Sequence, residues 1–197
     1  MDDSLRRAAL AVSAAEGGEV FDRLSTDLAD ILGVAVAFIA VYDDAERTRM
    51  RMLAFCLDGK MRKPFTYGLE GTPCATVVGH EFRCLPSQAR REFPKDDLFA
   101  KLGIESYAAY PLNDAKGAPL GLIGAMDRKA IANPALCEAV LKIFALRATG
   151  EIERGEEQYR AIFNAVADSL VLRDADFRVV DVKPAYEQLS GNTRDES

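Results

Sequence analysis

The chain has little nitrogen or paired sulfur with which to hold a metal. Its 197 residues include one histidine, His80, and four cysteines, Cys56, Cys74, Cys84 and Cys137. No two cysteines form a CxxC pair, and only His80 could join them, so a haem or zinc site would need unusual partners. The thiols read as free, in a reducing compartment. Basic residues are also in deficit, with 25 Lys and Arg against 31 Asp and Glu for a net charge of −6. That balance argues against a nucleic-acid face, because phosphate binding needs clustered Lys and Arg on one surface. Arg47, Arg49 and Arg51 come closest to a cluster, but their alternation along a strand reads as a solvated face. No apolar run approaches the roughly 20 residues that span a bilayer. The opening Met1-Asp2-Asp3 has the wrong sign for a secretory signal. The expected location is the cytoplasm, without direct membrane contact.

What is present is enough for one core: 49% of the residues are apolar, and the length holds one full domain plus an appendage. Leu5, Ala8, Ala9 and Val12 predict a first helix. Val20, Leu24, Leu28 and Ile31 predict a second, with Gly33 placed for a left-handed cap. The run 34–42 reads as a strand buried on both sides, paired with an alternating strand over 48–57. A weaker strand is expected over 63–67. Thr72-Pro73 has the form of a hydroxyl N-cap followed by Pro at the first helical position, predicting a short helix to about Val78. A short strand near 82–85 and a helix over 96–102 closed by Gly103 come next. Residues 105–112 and 119–127 form the clearest hairpin, turned by Asn113 to Gly117. From Asn133-Pro134 a long helix runs to about Val166. Its heptad seam comprises Leu141, Ala145, Ala148, Ile152, Gly155, Tyr159, Ile162 and Val166. Gly150 and Gly155 weaken that helix by roughly 1 kcal/mol each.

This order, together with Gly71-Thr72-Pro73-Cys74, Phe93-Pro94-Lys95-Asp96, Ser106-Tyr107 with Pro111-Leu112, and Gly121-Leu122-Ile123-Gly124, resembles a GAF sensory domain. The implied fold class is α+β: a GAF-like six-stranded antiparallel sheet with helices on both faces, plus a long C-terminal connecting helix. The resemblance divides the chain into a GAF-like domain over 1–150, a connecting helix over 133–166, and a segment over 159–197 that resembles the incomplete start of a PAS domain. In that last segment the PAS family's usual Asn before the Pro is Lys183, ahead of Pro184.

The resemblance implies a small-molecule pocket beneath the short helices, with candidate walls Ile39, Phe65, Cys74, Val77, Leu98, Tyr107 and Ala109. Plain core packing is the competing reading for each. Cys74, in the first turn of a helix, could have a lowered pKa; otherwise it is a small buried hydrophobe. No cofactor is assigned. Tetrapyrrole-binding relatives attach the chromophore near a Cys-His pair, whereas Cys74 precedes Ala75 and Cys84 precedes Leu85. The dispersed residues of cyclic-nucleotide-binding relatives have no clear match. Free methionine-(R)-sulfoxide reductase shares the fold, and Cys74 falls near one of its cysteines with Cys84 ten residues on, so a thiol enzyme is one alternative. A ligand-free dimerising GAF module is another.

The reading the resemblance favours is a non-catalytic sensory module. It binds an unidentified small molecule and signals through the long helix to a completed PAS domain and an output domain, such as a histidine kinase of a two-component system or a cyclic-di-GMP enzyme. A parallel homodimer through residues 141–166 is expected to make that shift two-state.

Overall fold

A computed structural model describes residues 3–15, 19–165, 171–173 and 179–182, with side chains described as far as residue 158. The chain divides into two compact units, 1–151 and 152–197.

In the first unit, helix α1 (Asp3–Ala14) precedes α2 (Val20–Leu32). Val20, Leu24, Leu28 and Ala29 are buried along one face of α2. Gly33 ends that helix at φ 65°, its N–H donating to Ala29 O, a conformation that glycine reaches without a Cβ clash. Strand β1 (Val36–Tyr42) has its first five residues buried, because it is covered on both faces, and β2 (Arg49–Leu57) returns beside it. Asp44 turns the connection by accepting from the N–H groups of Thr48 and Arg49. The outer edge of β2 is covered by two short pieces, β3 (Lys60–Met61) at one end and β4 (Thr66–Gly68) at the other. The strand expected over 63–67 is thus shorter and later, Thr66–Gly68, beginning after Pro64, which has no N–H for the ladder, and β3 is a further piece outside the expected range.

A 3-10 turn, Pro73–Thr76, leads to β5 (Arg83–Leu85), then α3 (Ala89–Glu92) and α4 (Asp97–Leu102). The hairpin β6 (Ser106–Asn113) and β7 (Pro119–Asp127) turns on Asp114, whose carboxylate accepts from Lys116 N and Ala118 N, and on Gly117 at φ 83°. All pairings are antiparallel, in the order β3-β2-β1-β7-β6-β5, with β4 also on β2. The sheet is therefore six strands wide, with seven strands in all.

The two faces separate cleanly. Val36, Phe38, Ala40, Met50, Met52, Tyr107, Ala109, Leu122 and Met126 belong to one buried cluster, with the short helices and the 3-10 turn over it. Ala37, Ile39, Ala108, Ile123 and Ala125 point the other way and are fully buried. That side is covered by α2, and α5 (Pro134–Ala165) reaches it at Cys137, which lies beside Cys84, with the buried stripe Val140, Leu141, Phe144, Ala145 and Ala148 following along the helix. Helix α5 starts with Asn133 Oδ1 accepting from Leu136 N at 3.0 Å, and Pro134 occupies its first position. Arg147 ties it to the end of α1 by donating to Val12 O at 3.3 Å and Ala15 O at 2.7 Å.

Because Leu141, Ala145 and Ala148 are buried within the unit, the first half of the expected dimer seam is occupied by the chain's own core. An outward stripe remains on α5: Ala139 and Ile143, half-buried, then Leu146, 72% exposed, and Gly150.

In the second unit, α5 continues to Ala165, and β8 (Val171–Arg173) pairs antiparallel with β9 (Val179–Val182). The corner at Lys183 and Pro184 and the rest of the PAS-like reading lie outside the described residues. No helix among the described residues is long and apolar enough to cross a membrane.

Candidate functional site

A cavity of about 350 Å³ lies between the sheet and the short helices. Its inner wall is Phe38 of β1, Met52 of β2, Tyr107 of β6 and Met126 of β7, all of them buried. Phe65 and Tyr67 close it on the β4 side, Thr72 and Cys74 at the 3-10 turn, and Leu98 and Phe99 from α4. Charged Glu70, Lys95, Asp97 and Lys101 stand exposed at its mouth, beside Phe65, which is 37% exposed.

Aromatic rings dominate the wall. Phe99 and Tyr107 have centroids 6.0 Å apart, and Phe65 lies 6.2 Å from Tyr67 and 5.4 Å, edge-on, from Phe55. Space for Phe38 is made by Gly124, its partner on β7, where an added Cβ would lie 2.5 Å from Phe38 Cζ. Asp96 sets the position of α4 as its N-cap, its carboxylate accepting from Leu98 N at 3.0 Å and Phe99 N at 3.2 Å. Burial pushes that carboxyl above its ordinary range, against those two donors.

The inner end of the cavity carries three polar groups. Tyr107 Oη donates to Cys74 Sγ at 3.5 Å. The Tyr67 hydroxyl lies beside the same thiol, but it is buried and makes no hydrogen bond of adequate geometry. Burial raises the thiol above its ordinary range and both phenols well above theirs. These groups are protonated at neutral pH, so they offer neutral donors; the charged group that acts on all three is the Asp96 carboxyl, which also borders the cavity.

The seven residues expected from the sequence fall into three groups. Phe65, Cys74, Leu98 and Tyr107 border the cavity. Val77 and Ala109 lie in the surrounding buried cluster but do not reach the cavity wall. Ile39 faces the opposite side of the sheet: its partner Ile123 pairs with Tyr110, so Ile39 cannot share a face with Tyr107. Its neighbour Phe38 takes the wall position instead. Met52, Tyr67, Phe99 and Met126 join the wall without a local signal; the pairing of Tyr107 with Met126 places that methionine, and register is what a single sequence withholds.

The reactive reading of Cys74 meets two obstacles. The segment after Thr72 is a four-residue 3-10 turn with no dipole of consequence, and the Thr72 hydroxyl donates to Leu69 O at 2.7 Å instead of capping it. Cys84 pairs with Ala108 and so faces the helix side of the sheet, away from Tyr107 and Cys74. The two thiols are not brought together. Among the described residues there is no His, Cys, Asp and Glu cluster that could hold a metal ion.

Solved structures carry the same architecture. A GAF domain from an Acinetobacter phosphoenolpyruvate-protein phosphotransferase superposes with a TM-score of 0.61 at 15% identity, covering 80% of this chain and 96% of that one. The fold is GAF-like. The chromophore-binding domain of an R. palustris bacteriophytochrome matches with a TM-score of 0.61 at 13% identity, covering 79% of this chain and 62% of that one. That of Stigmatella aurantiaca phytochrome P1 gives 0.56 at 13%, over 75% and 58%. This GAF-like chain thus spans about three fifths of the length of the phytochrome domains that it matches. No protein-family model and no curated protein sequence matches it.

Proposed function

We propose that the protein is a sensory module whose cavity binds a small molecule and whose α5 carries the state of the cavity onward along the chain. The observation that supports this most is the aromatic cavity of about 350 Å³, with an unpartnered buried hydroxyl, on the sheet face opposite α2 and α5. Pockets of this size, mostly apolar with a few polar groups, are the usual form of small-molecule sites.

The route to the helix is short. Along β1 and β6, residues that border the cavity alternate with residues that support the helices: Phe38 between Ala37 and Ile39, Tyr107 beside Ala108. An occupant that shifts Phe38 or Tyr107 shifts the strand on which the helices rest. A coupling of about 1 to 3 kcal/mol changes an output several-fold to a hundredfold. In the full protein the helix would lead into a completed PAS domain and an output domain of the histidine kinase or cyclic-di-GMP kind, the sensory part being cytoplasmic and non-catalytic. A second copy would pair along the outward stripe Ile143, Leu146 and Gly150, on the side of α5 away from its buried stripe.

A thermal-shift screen of purines, cyclic nucleotides, amino acids and aromatic compounds tests the binding step. A ligand at 100 times its dissociation constant adds roughly 2.7 kcal/mol of stability. At least one class is expected to raise the melting temperature; a flat response across all four supports a ligand-free spacer instead.

A further inference from the structure

The cavity's lining specifies a chemical class of ligand, an inference that rests on the binding reading above. We propose that the ligand is a compact aromatic molecule of one or two rings, inserted with an uncharged hydrogen-bond acceptor, such as a carbonyl, against the Tyr67 hydroxyl.

Three observations carry this. First, size: a cavity of about 150 Å³ holds benzene, so about 350 Å³ accommodates one or two rings and is small for a ligand with a long polar chain. Second, the walls are π-faces and thioethers, with Phe38, Tyr107, Phe65 and Phe99 around Met52 and Met126. Such a lining favours a flat ring through stacking, edge contacts and sulfur–aromatic contacts. Third, the inner polar groups are mismatched as they stand. The Cys74 sulfur, a weak acceptor, takes the Tyr107 hydroxyl at 3.5 Å, and the buried Tyr67 hydroxyl beside the same sulfur makes no hydrogen bond of good geometry. A buried donor left unmade is costly, and a ligand acceptor removes that cost without breaking an existing bond.

Charge settles which end goes in. The cations bordering the cavity, Lys95 and Lys101, are both exposed at its mouth. An anion at the inner end would therefore be desolvated without a counter-ion, which disfavours an inward carboxylate. An anionic substituent belongs outward, where Lys95 and Lys101 are solvated, and away from the Asp96 carboxyl.

The test uses the full chain with methyl-labelled methionine and four probes of similar shape: acetophenone, ethylbenzene, benzoate and cyclohexyl methyl ketone. Met52 and Met126 border the cavity, whereas Met61 lies at the sheet edge near Thr26 and serves as the control. Acetophenone is expected to shift the Met52 and Met126 methyl signals saturably, leave Met61 in place, and bind more tightly than benzoate or the saturated ketone. In Tyr67→Phe the affinity ratio of acetophenone to ethylbenzene should fall about 3- to 10-fold, the worth of one neutral hydrogen bond. That variant keeps the ring and loses only an unpartnered hydroxyl, so it should melt no lower than the parent. Tighter binding of benzoate, an unchanged ratio in Tyr67→Phe, or no saturable shift with any probe overturns the inference. If these probes fail while a non-aromatic compound such as an aliphatic amino acid shifts Met52 and Met126, the binding reading stands and only the ligand class falls.

Discussion

Gly124 leaves room for the Phe38 ring, and Phe38 leaves room for the cavity. A methyl group at Gly124 would lie 2.5 Å from Phe38 Cζ and 3.2 Å from Ala108 O, so the ring must swing into the open space. Gly124→Ala should cost about 1 to 3 kcal/mol as overpacking and weaken any cavity ligand at least tenfold. Thermal melts and the dissociation constant of a compound from the screen measure both; unchanged affinity would place the ligand elsewhere. Asp96 makes a prediction with a sign. Its carboxyl is raised above 3.8 by burial, so the native state keeps that proton to higher pH than the unfolded chain does. Its contribution to stability therefore falls as pH rises from 3.8 through the raised value. Asp96→Asn keeps a cap without the buried charge and should be at least as stable as the parent at neutral pH, with that part of the pH dependence gone. Asp96→Ala loses the cap and should cost about 1 kcal/mol. Urea unfolding at pH 4 and pH 7 separates the two, and an Asn variant as weak as the Ala variant would contradict this account of the site.

At the scale of elements, the two sides of the sheet differ in how plainly the sequence announces them. The hairpin 105–127, the Asn133-Pro134 start of α5 and the Gly33 and Gly103 caps arise from local chemistry, and each lies where that chemistry predicts. The region over the cavity arises from tertiary contacts. Nothing local in Thr72-Pro73-Cys74 distinguishes a helix start from the single 3-10 turn that forms, where the Thr72 hydroxyl turns back to Leu69. The choice of Ile39 over Phe38 shows the same limit. In a strand buried on both faces every position is apolar, so composition does not reveal which way a residue points, and only the register with Gly124 and Met126 does. Arg147 is also legible only in three dimensions, because it joins helices more than 130 positions apart in sequence. Arg147→Ala removes both bonds to the end of α1 and should cost about 1.5 to 3 kcal/mol. Amide exchange should rise in α1 first; a uniform rise across the sheet would show that Arg147 supports the core as a whole.

At the scale of the whole molecule, Leu146 at 72% exposure and Leu10 at 61% are large apolar side chains left in water on α5 and α1. A second copy along α5 would cover the Leu146 stripe, and light scattering at micromolar concentration should report a dimer that Leu146→Glu converts to a monomer. A monomeric parent protein would remove the dimer from the mechanism while leaving the cavity untouched. The claim on which the mechanism turns is that the cavity and α5 are coupled through the strands between them. Hydrogen exchange across α5, with and without the compound that gives the largest shift in the thermal screen, measures this directly. The account predicts altered protection in α5 from about Leu141 onward, together with protection of the cavity walls. Protection confined to β4, the 3-10 turn and α4 with α5 unchanged, or no compound that binds at all, would contradict it.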